Sequence, residues 1–223
     1  MQFRKEQLAN GHYYHVFNRS IAGFKVFNEP DDFYRMREIM TVYRFADFDY
    51  KYSKYTNLEI KHQHAILKRA QDNDNLLVDI IAYCIMPTHI HLILKQNTDK
   101  GITKFMAKIL NSYSRYFNIR HHRAGPLWEG HFKNVLVKND EQIYHLSRYI
   151  HLNPYSAGLV DDLLGWPHSS LKDFIAPSNQ TICNFQNVID MSPSKYRNFV
   201  LKQKDYQRQL SLIKNILIDN YSG

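Results

Sequence analysis

At 223 residues, 44% of them hydrophobic, the chain suits one good-sized packed domain or a domain with a substantial appendage. Its 29 Lys and Arg against 21 Asp and Glu leave a net charge of +8, which favours a polyanionic partner. Two cysteines, Cys84 and Cys183, exclude a disulfide framework and a zinc-knuckle spacing. No apolar stretch is long enough for a membrane span or a signal region, so a cytoplasmic protein with no membrane partner is expected.

Residues 12–17, rich in Tyr and Val, read as a strand ending in Asn18-Arg19-Ser20, and Lys25 to Phe27 as a second short extended piece. Pro30 with Asp31 and Asp32 opens a helix whose apolar face is Phe33, Met36, Ile39, Met40 and Tyr43. Residues 47–62 are polar and tyrosine-rich with no clear period, and read as an excursion. A short helix over 64–70 precedes a turn at Asp72-Asn73-Asp74-Asn75. Leu76 to Ile85 and His89 to Leu94 form the clearest strand pair, broken at Met86-Pro87-Thr88.

Gly101 precedes an amphipathic helix with Ile102, Phe105, Met106, Ile109, Tyr113, Tyr116 and Phe117 on one side and Lys104, Lys108 and Arg115 on the other. A basic loop over 120–130 leads to a strand at 132–137. Asn139 and Gln142 have capping-box spacing for a helix over 143–152, which Pro154 should stop. A loop rich in Pro, Ser and Asn follows, then a basic, mostly helical segment over 194–218. The order β-α-β-β-α-β-α predicts an α+β fold of the ferredoxin-like kind.

His89 and His91 flank one apolar residue in a strand, so both imidazoles project from one face, close enough to share a cation. On the later helix Tyr149 and Asn153 stand four residues apart, hence on one face, with His145 a turn earlier. A tyrosine hydroxyl and an amide oxygen can thus be presented together, and a mixed nitrogen and oxygen set suits Mg²⁺ or Mn²⁺. An isolated His-x-His pair is also compatible with a partly exposed sheet face, and Tyr149 with an exposed helix end. Sixteen Tyr and thirteen Phe, several beside cations, suit single-stranded nucleic acid, whose bases stack while its phosphates pair.

Met86-Pro87-Thr88-His89-Ile90-His91-Leu92 resembles the histidine-hydrophobic-histidine strand of the single-tyrosine HUH, or IS200-like, transposases. Gly125 to Lys133 (GPLWEGHFK), Arg148 to Pro154 (RYIHLNP), Ala157-Gly158-Leu159-Val160 and Trp166 to Ser170 (WPHSS) continue the likeness, in order, to its REP-associated branch. The resemblance covers about residues 10–175. It implies a ferredoxin-like or RRM-like antiparallel core with helices packed on it, a divalent metal, Mg²⁺ or Mn²⁺, and single-stranded or hairpin DNA as substrate. It places the nucleophile on Tyr149, the metal ligands on His89, His91 and Asn153, and the transposase domain over 1–175, leaving 176–223 as a basic, mostly helical extension. The reaction implied is DNA cleavage and strand transfer through a covalent 5′-phosphotyrosine, in a transposase or a domesticated derivative. A homodimer whose active sites are completed in cis or in trans is compatible with it.

Tyr113 and Tyr116 are rival tyrosines assigned to packing, and Trp128 to the core or to base stacking. Arg115, Arg120, Arg123, Lys133 and Arg148 are candidate DNA contacts. Two other readings stand: a non-catalytic RRM-like nucleic-acid-binding module, and a metal-dependent hydrolase of another phosphoester, against which the lack of a carboxylate ligand counts.

Overall fold

The computed structural model describes residues 8–178 and 181–204. Strand β1 (Tyr13–Arg19) leads through a 3-10 turn at Ile21–Gly23 into α1 (Pro30–Tyr43), then α2 (Tyr52–Tyr55) and α3 (Ile60–Asp72). The strands β2 (Val78–Met86) and β3 (His89–Gln96) precede α4 (Gly101–Arg120), β4 (Lys133–Val137) and α5 (Asp140–Ser156). After a 3-10 turn at Leu163–Gly165 come α6 (Leu171–Ile175) and α7 (Pro193–Leu201).

The strands form one sheet in the order β2-β3-β1-β4. With β1 and β3 central and a helix following each, this is the ferredoxin-like arrangement that the sequence pattern predicts. Hydrogen bonds at the two ends of the central pair, Gln96 N–H to His12 O (3.1 Å) and Ser20 N–H to Thr88 O (2.8 Å), set β1 antiparallel to β3 with Arg19 opposite His89. Along β1 the even positions are buried, while Tyr13, His15 and Phe17 are half-buried and Arg19 exposed.

The chain divides into two compact units. One takes the residues up to Asp79 with Pro87–His89 and Leu94–Leu136; the other takes Ile80–Met86, Ile90–Ile93 and the chain from Val137. In the first, α1 packs on α4, burying Phe33, Met36 and Ile39 from one helix and Phe105, Ile109 and Tyr113 from the other. Each such side chain contributes about 1.5–3 kcal/mol of burial. Asp32 fixes the start of α1: its carboxylate accepts the Asn28 and Glu29 N–H groups at 3.0 and 3.2 Å. Gly101 opens α4 because a Cβ there would lie 2.2 Å from Leu77 O.

The second unit is held by a polar core. Buried His151 of α5 has its Nδ1 2.8 Å from the Tyr196 hydroxyl and its Nε2 2.8 Å from the Ser170 hydroxyl. The Tyr196 hydroxyl donates onward to Ser147 Oγ at 2.9 Å, and the Tyr83 N–H donates to Ser170 Oγ at 2.9 Å. Phe174 stacks on Phe185 beside this network, ring centroids 3.8 Å apart.

Several sequence expectations need correction. No strand forms at Lys25 to Phe27; the Val26 and Phe27 N–H groups both donate to Pro87 O, at 2.8 and 3.1 Å, which satisfies them without a ladder. The 47–62 excursion contains α2 and the start of α3, which is longer than expected. Pro154 does not stop α5, which runs to Ser156. Pro154 lacks an N–H to donate and crowds the preceding turn, but the helix is ending there and the chain resumes with Ala157 N–H to Asn153 O at 2.9 Å. Of the helix expected over 194–218, Pro193–Leu201 is present, and residues beyond 204 lie outside those described.

Candidate active site

Strand β3 carries both histidines. Strand alternation puts His89 and His91 on one side of it, while Ile90, Leu92 and Leu94, all fully buried, occupy the other. His91 is buried and His89 half-buried. The Thr88 hydroxyl lies 2.8 Å from His89 Nδ1 and holds that ring by one nitrogen, as metal-binding imidazoles are oriented. Burial first, and then the positive charge of Arg19, lower the His89 pKa to about 4. The imidazole is therefore neutral at pH 7, the form that ligates a metal.

Helix α5 starts where Asn139 Oδ1 accepts the Gln142 N–H at 2.9 Å, the cap expected from the sequence, while Gln142 Oε1 takes the Lys138 N–H rather than that of Asn139. Tyr149 follows on its open side, 38% exposed, yet its ring meets His91 edge-on with centroids 6.0 Å apart. One turn later Asn153 Nδ2 is buried without a hydrogen-bond partner. Such an orphan costs about 1–3 kcal/mol. A half-turn of the amide brings its oxygen to the same place, so the group fits a cation that would take that oxygen. Among the described residues no group of three His, Cys, Asp or Glu side chains gathers that could hold a metal ion.

The basic candidates divide by environment. Arg115 and Lys133 are exposed. Arg120 pairs with Glu29 and Asp31. Arg123 donates to Asn118 Oδ1 and Pro126 O at 3.2 and 3.0 Å. Arg148 lies 4.2 Å over the Phe199 ring and 2.8 Å from His145 Nδ1.

Of the rival tyrosines, Tyr113 is fully buried and donates to Val26 O. Tyr116 is only half-buried, its hydroxyl donating to Asp32 Oδ1 at 3.1 Å. Trp128 is a core residue whose Nε1 donates to Leu110 O at 3.2 Å. The sequence reading passed over Arg19, whose place opposite His89 depends on the β1–β3 register and on no local motif.

Residues 48–153 match the family model described as transposase IS200 like. A Haemophilus influenzae protein named for the REP-associated tyrosine transposases is 27% identical over 104 residues, which is 41% of this chain and 58% of the relative. The Escherichia coli REP-associated tyrosine transposase is 24% identical over 116 residues, 51% of this chain and 65% of its own. The chain thus spans less than two thirds of the length of either relative. A solved structure of a REP-associated tyrosine transposase bound to a REP hairpin has the same fold, with TM-score 0.52 at 16% identity over 86% of this chain and 96% of that one.

Proposed function

We propose that this chain, whose residues 48–153 match the IS200-like transposase model, is a metal-dependent endonuclease and strand transferase for single-stranded or hairpin DNA, acting through Tyr149. The observation that carries this reading is the edge-on approach of the Tyr149 ring to His91, with centroids 6.0 Å apart. His89, His91 and Asn153 would hold Mg²⁺ or Mn²⁺, which when bound supplies positive charge to the phosphoryl oxygens.

The Tyr149 oxygen attacks phosphorus, losing its proton, and forms a 5′-phosphotyrosine ester. The bond from phosphorus to the 3′ oxygen breaks, and that oxygen leaves as a hydroxyl after gaining a proton. The phosphoester is conserved, so a 3′ hydroxyl can later attack the phosphotyrosine and rejoin DNA. Exposed Arg19, opposite His89, draws the phosphate anion toward the histidines.

One observation favours the second reading, a non-catalytic RRM-like module: Tyr13, His15 and Phe17 are half-buried along one side of β1, with the His15 and Phe17 rings 5.0 Å apart. That reading predicts DNA binding without Mg²⁺ dependence and without an adduct.

Hairpin oligonucleotides labelled at either end, incubated with the full chain and Mn²⁺, separate the two. A 5′-phosphotyrosine transfers only the 3′-end label to protein, and Tyr149→Phe abolishes the transfer. Transfer that survives Tyr149→Phe but is lost in Tyr113→Phe overturns the assignment.

A further inference from the structure

We infer that the first unit holds a second site for unpaired DNA, in a cavity of about 550 Å³ bounded by α1, the start of α2 and α4. The inference rests on the reading of this chain as a DNA-handling protein. None of the residues lining the cavity lies on β3 or α5, which carry the candidate active-site residues.

Its walls combine cations with flat rings. Arg35, Lys51, Lys108 and Arg115 line it together with Tyr52 and Tyr116, and no Asp or Glu does. None of these four cations is in an ion pair among the described residues, whereas Arg120, also on the wall, is paired with Glu29 and Asp31. The Arg35 guanidinium lies 4.8 Å from the centroids of both the Tyr52 and the Tyr116 ring, a cation–π arrangement that groups charge and flat rings on one wall. Lys108 is aimed by its bond to Phe48 O at 3.2 Å.

The edges of the two tyrosines are fixed from outside the cavity. The Tyr116 hydroxyl donates to Asp32 at 3.1 Å, and burial, followed by the nearby Glu38 carboxylate, raises the Tyr52 pKa well above the usual phenol range. The rings are therefore held rigid and neutral, which stacking needs.

The space exceeds what a lone phosphate fills and lies in the range of nucleotide-sized ligands. Positive charge beside preset ring and guanidinium planes matches a strand whose bases are unstacked, since a duplex hides its base faces. Lys51, Tyr52 and Ser53, which complete one wall, come from the 47–62 excursion. That segment, without a periodic pattern of its own, thus acquires a role: it turns a helix pair into a groove.

The test uses the full chain in EDTA, where Tyr149 chemistry is silent, and a fluorescein-labelled oligothymidylate followed by anisotropy. The exposed pair Lys51→Glu with Arg115→Glu should weaken binding about tenfold or more and flatten its salt dependence. An oligothymidylate carrying 5-iododeoxyuridine should, on irradiation of the wild-type chain, crosslink to the peptides holding Tyr52 or Tyr116. Crosslinks confined to other peptides overturn the proposal, whatever the double variant does. So does unchanged affinity in a double variant whose circular dichroism matches wild type, or a site that takes thymidine monophosphate or an acidic peptide but not the oligonucleotide. A phosphotyrosine adduct that persists alongside such a result would show that this site fails while the Tyr149 reading stands. Loss of the adduct with groove binding intact shows the converse.

Discussion

His151 Nδ1 lies 2.8 Å from the hydroxyl of Tyr196, a contact between two wholly buried side chains of α5 and α7. His151 sits two residues after Tyr149 and two before Asn153, so the contact anchors the helix that carries both. Its other ring nitrogen meets Ser170, and Tyr196 continues to Ser147. Buried networks of this kind are costly when half-broken, because each orphaned partner keeps its desolvation penalty. His151→Ala should destabilise the chain by about 3 kcal/mol and Tyr196→Phe by about 1–2 kcal/mol. Urea denaturation of the full chain measures both; two near-zero values would mean the network is solvated.

The same burial makes stability depend on acid. Burial holds His151 down to about 3 and His168 to about 4, from an ordinary 6.5. Folded-state values below the unfolded one mean that the unfolded chain binds protons first as pH falls. Their contribution is therefore complete above pH 6.5 and is lost progressively as pH drops from there toward 4 and 3. The slope approaches about 1.4 kcal/mol per pH unit for buried His151 and is smaller for half-buried His168, which solvent screens. Thermal midpoints recorded from pH 7.5 to 4.5 should fall steadily, and less steeply in His168→Asn. A flat profile across that window would contradict the assignment.

Gly101 offers a sharper steric test. A methyl group there would sit 2.2 Å from the Leu77 carbonyl oxygen, a backbone atom that cannot swing aside. Alanine, normally the better helix residue, should here destabilise by about 1–3 kcal/mol. A thermal midpoint for Gly101→Ala at or above wild type would show that the loop before α4 yields freely.

Much of this was readable from local pattern. The alternation of His89 to Leu94 fixed one side of β3, and the Phe33 to Tyr43 spacing fixed α1, because both depend only on periodicity and burial. Tyr149 and Asn153 shared a helix face for the same reason. What escaped depends on partners distant in sequence. The place of Arg19 opposite His89 needs strand register. The half-exposed state of Tyr116 needs Asp32, 84 positions away. Lys51 and Tyr52 join a cavity wall only once α1 and α4 are packed together. Pro154 misled because a helix stop was inferred from residue type, while the surrounding turn tolerates the loss of one bond.

Asn153 carries the most discriminating prediction. Its buried Nδ2 has no hydrogen-bond partner, which in a core residue is a defect and in a metal ligand a preparation. Replacing it with leucine, of similar volume, removes the orphan and should raise the thermal midpoint of the metal-free chain, by the equivalent of about 1 kcal/mol. The same change removes an oxygen donor, so Mn²⁺ should bind at least about tenfold more weakly, and the midpoint rise that saturating Mn²⁺ gives wild type should shrink accordingly. Asn153→Asp, which keeps an oxygen and adds charge, should retain or enlarge that rise. The two effects of leucine have opposite signs, and a residue that merely packs predicts only the first. A metal-free midpoint that falls, with the Mn²⁺ response unchanged, would return Asn153 to the ordinary work of ending α5.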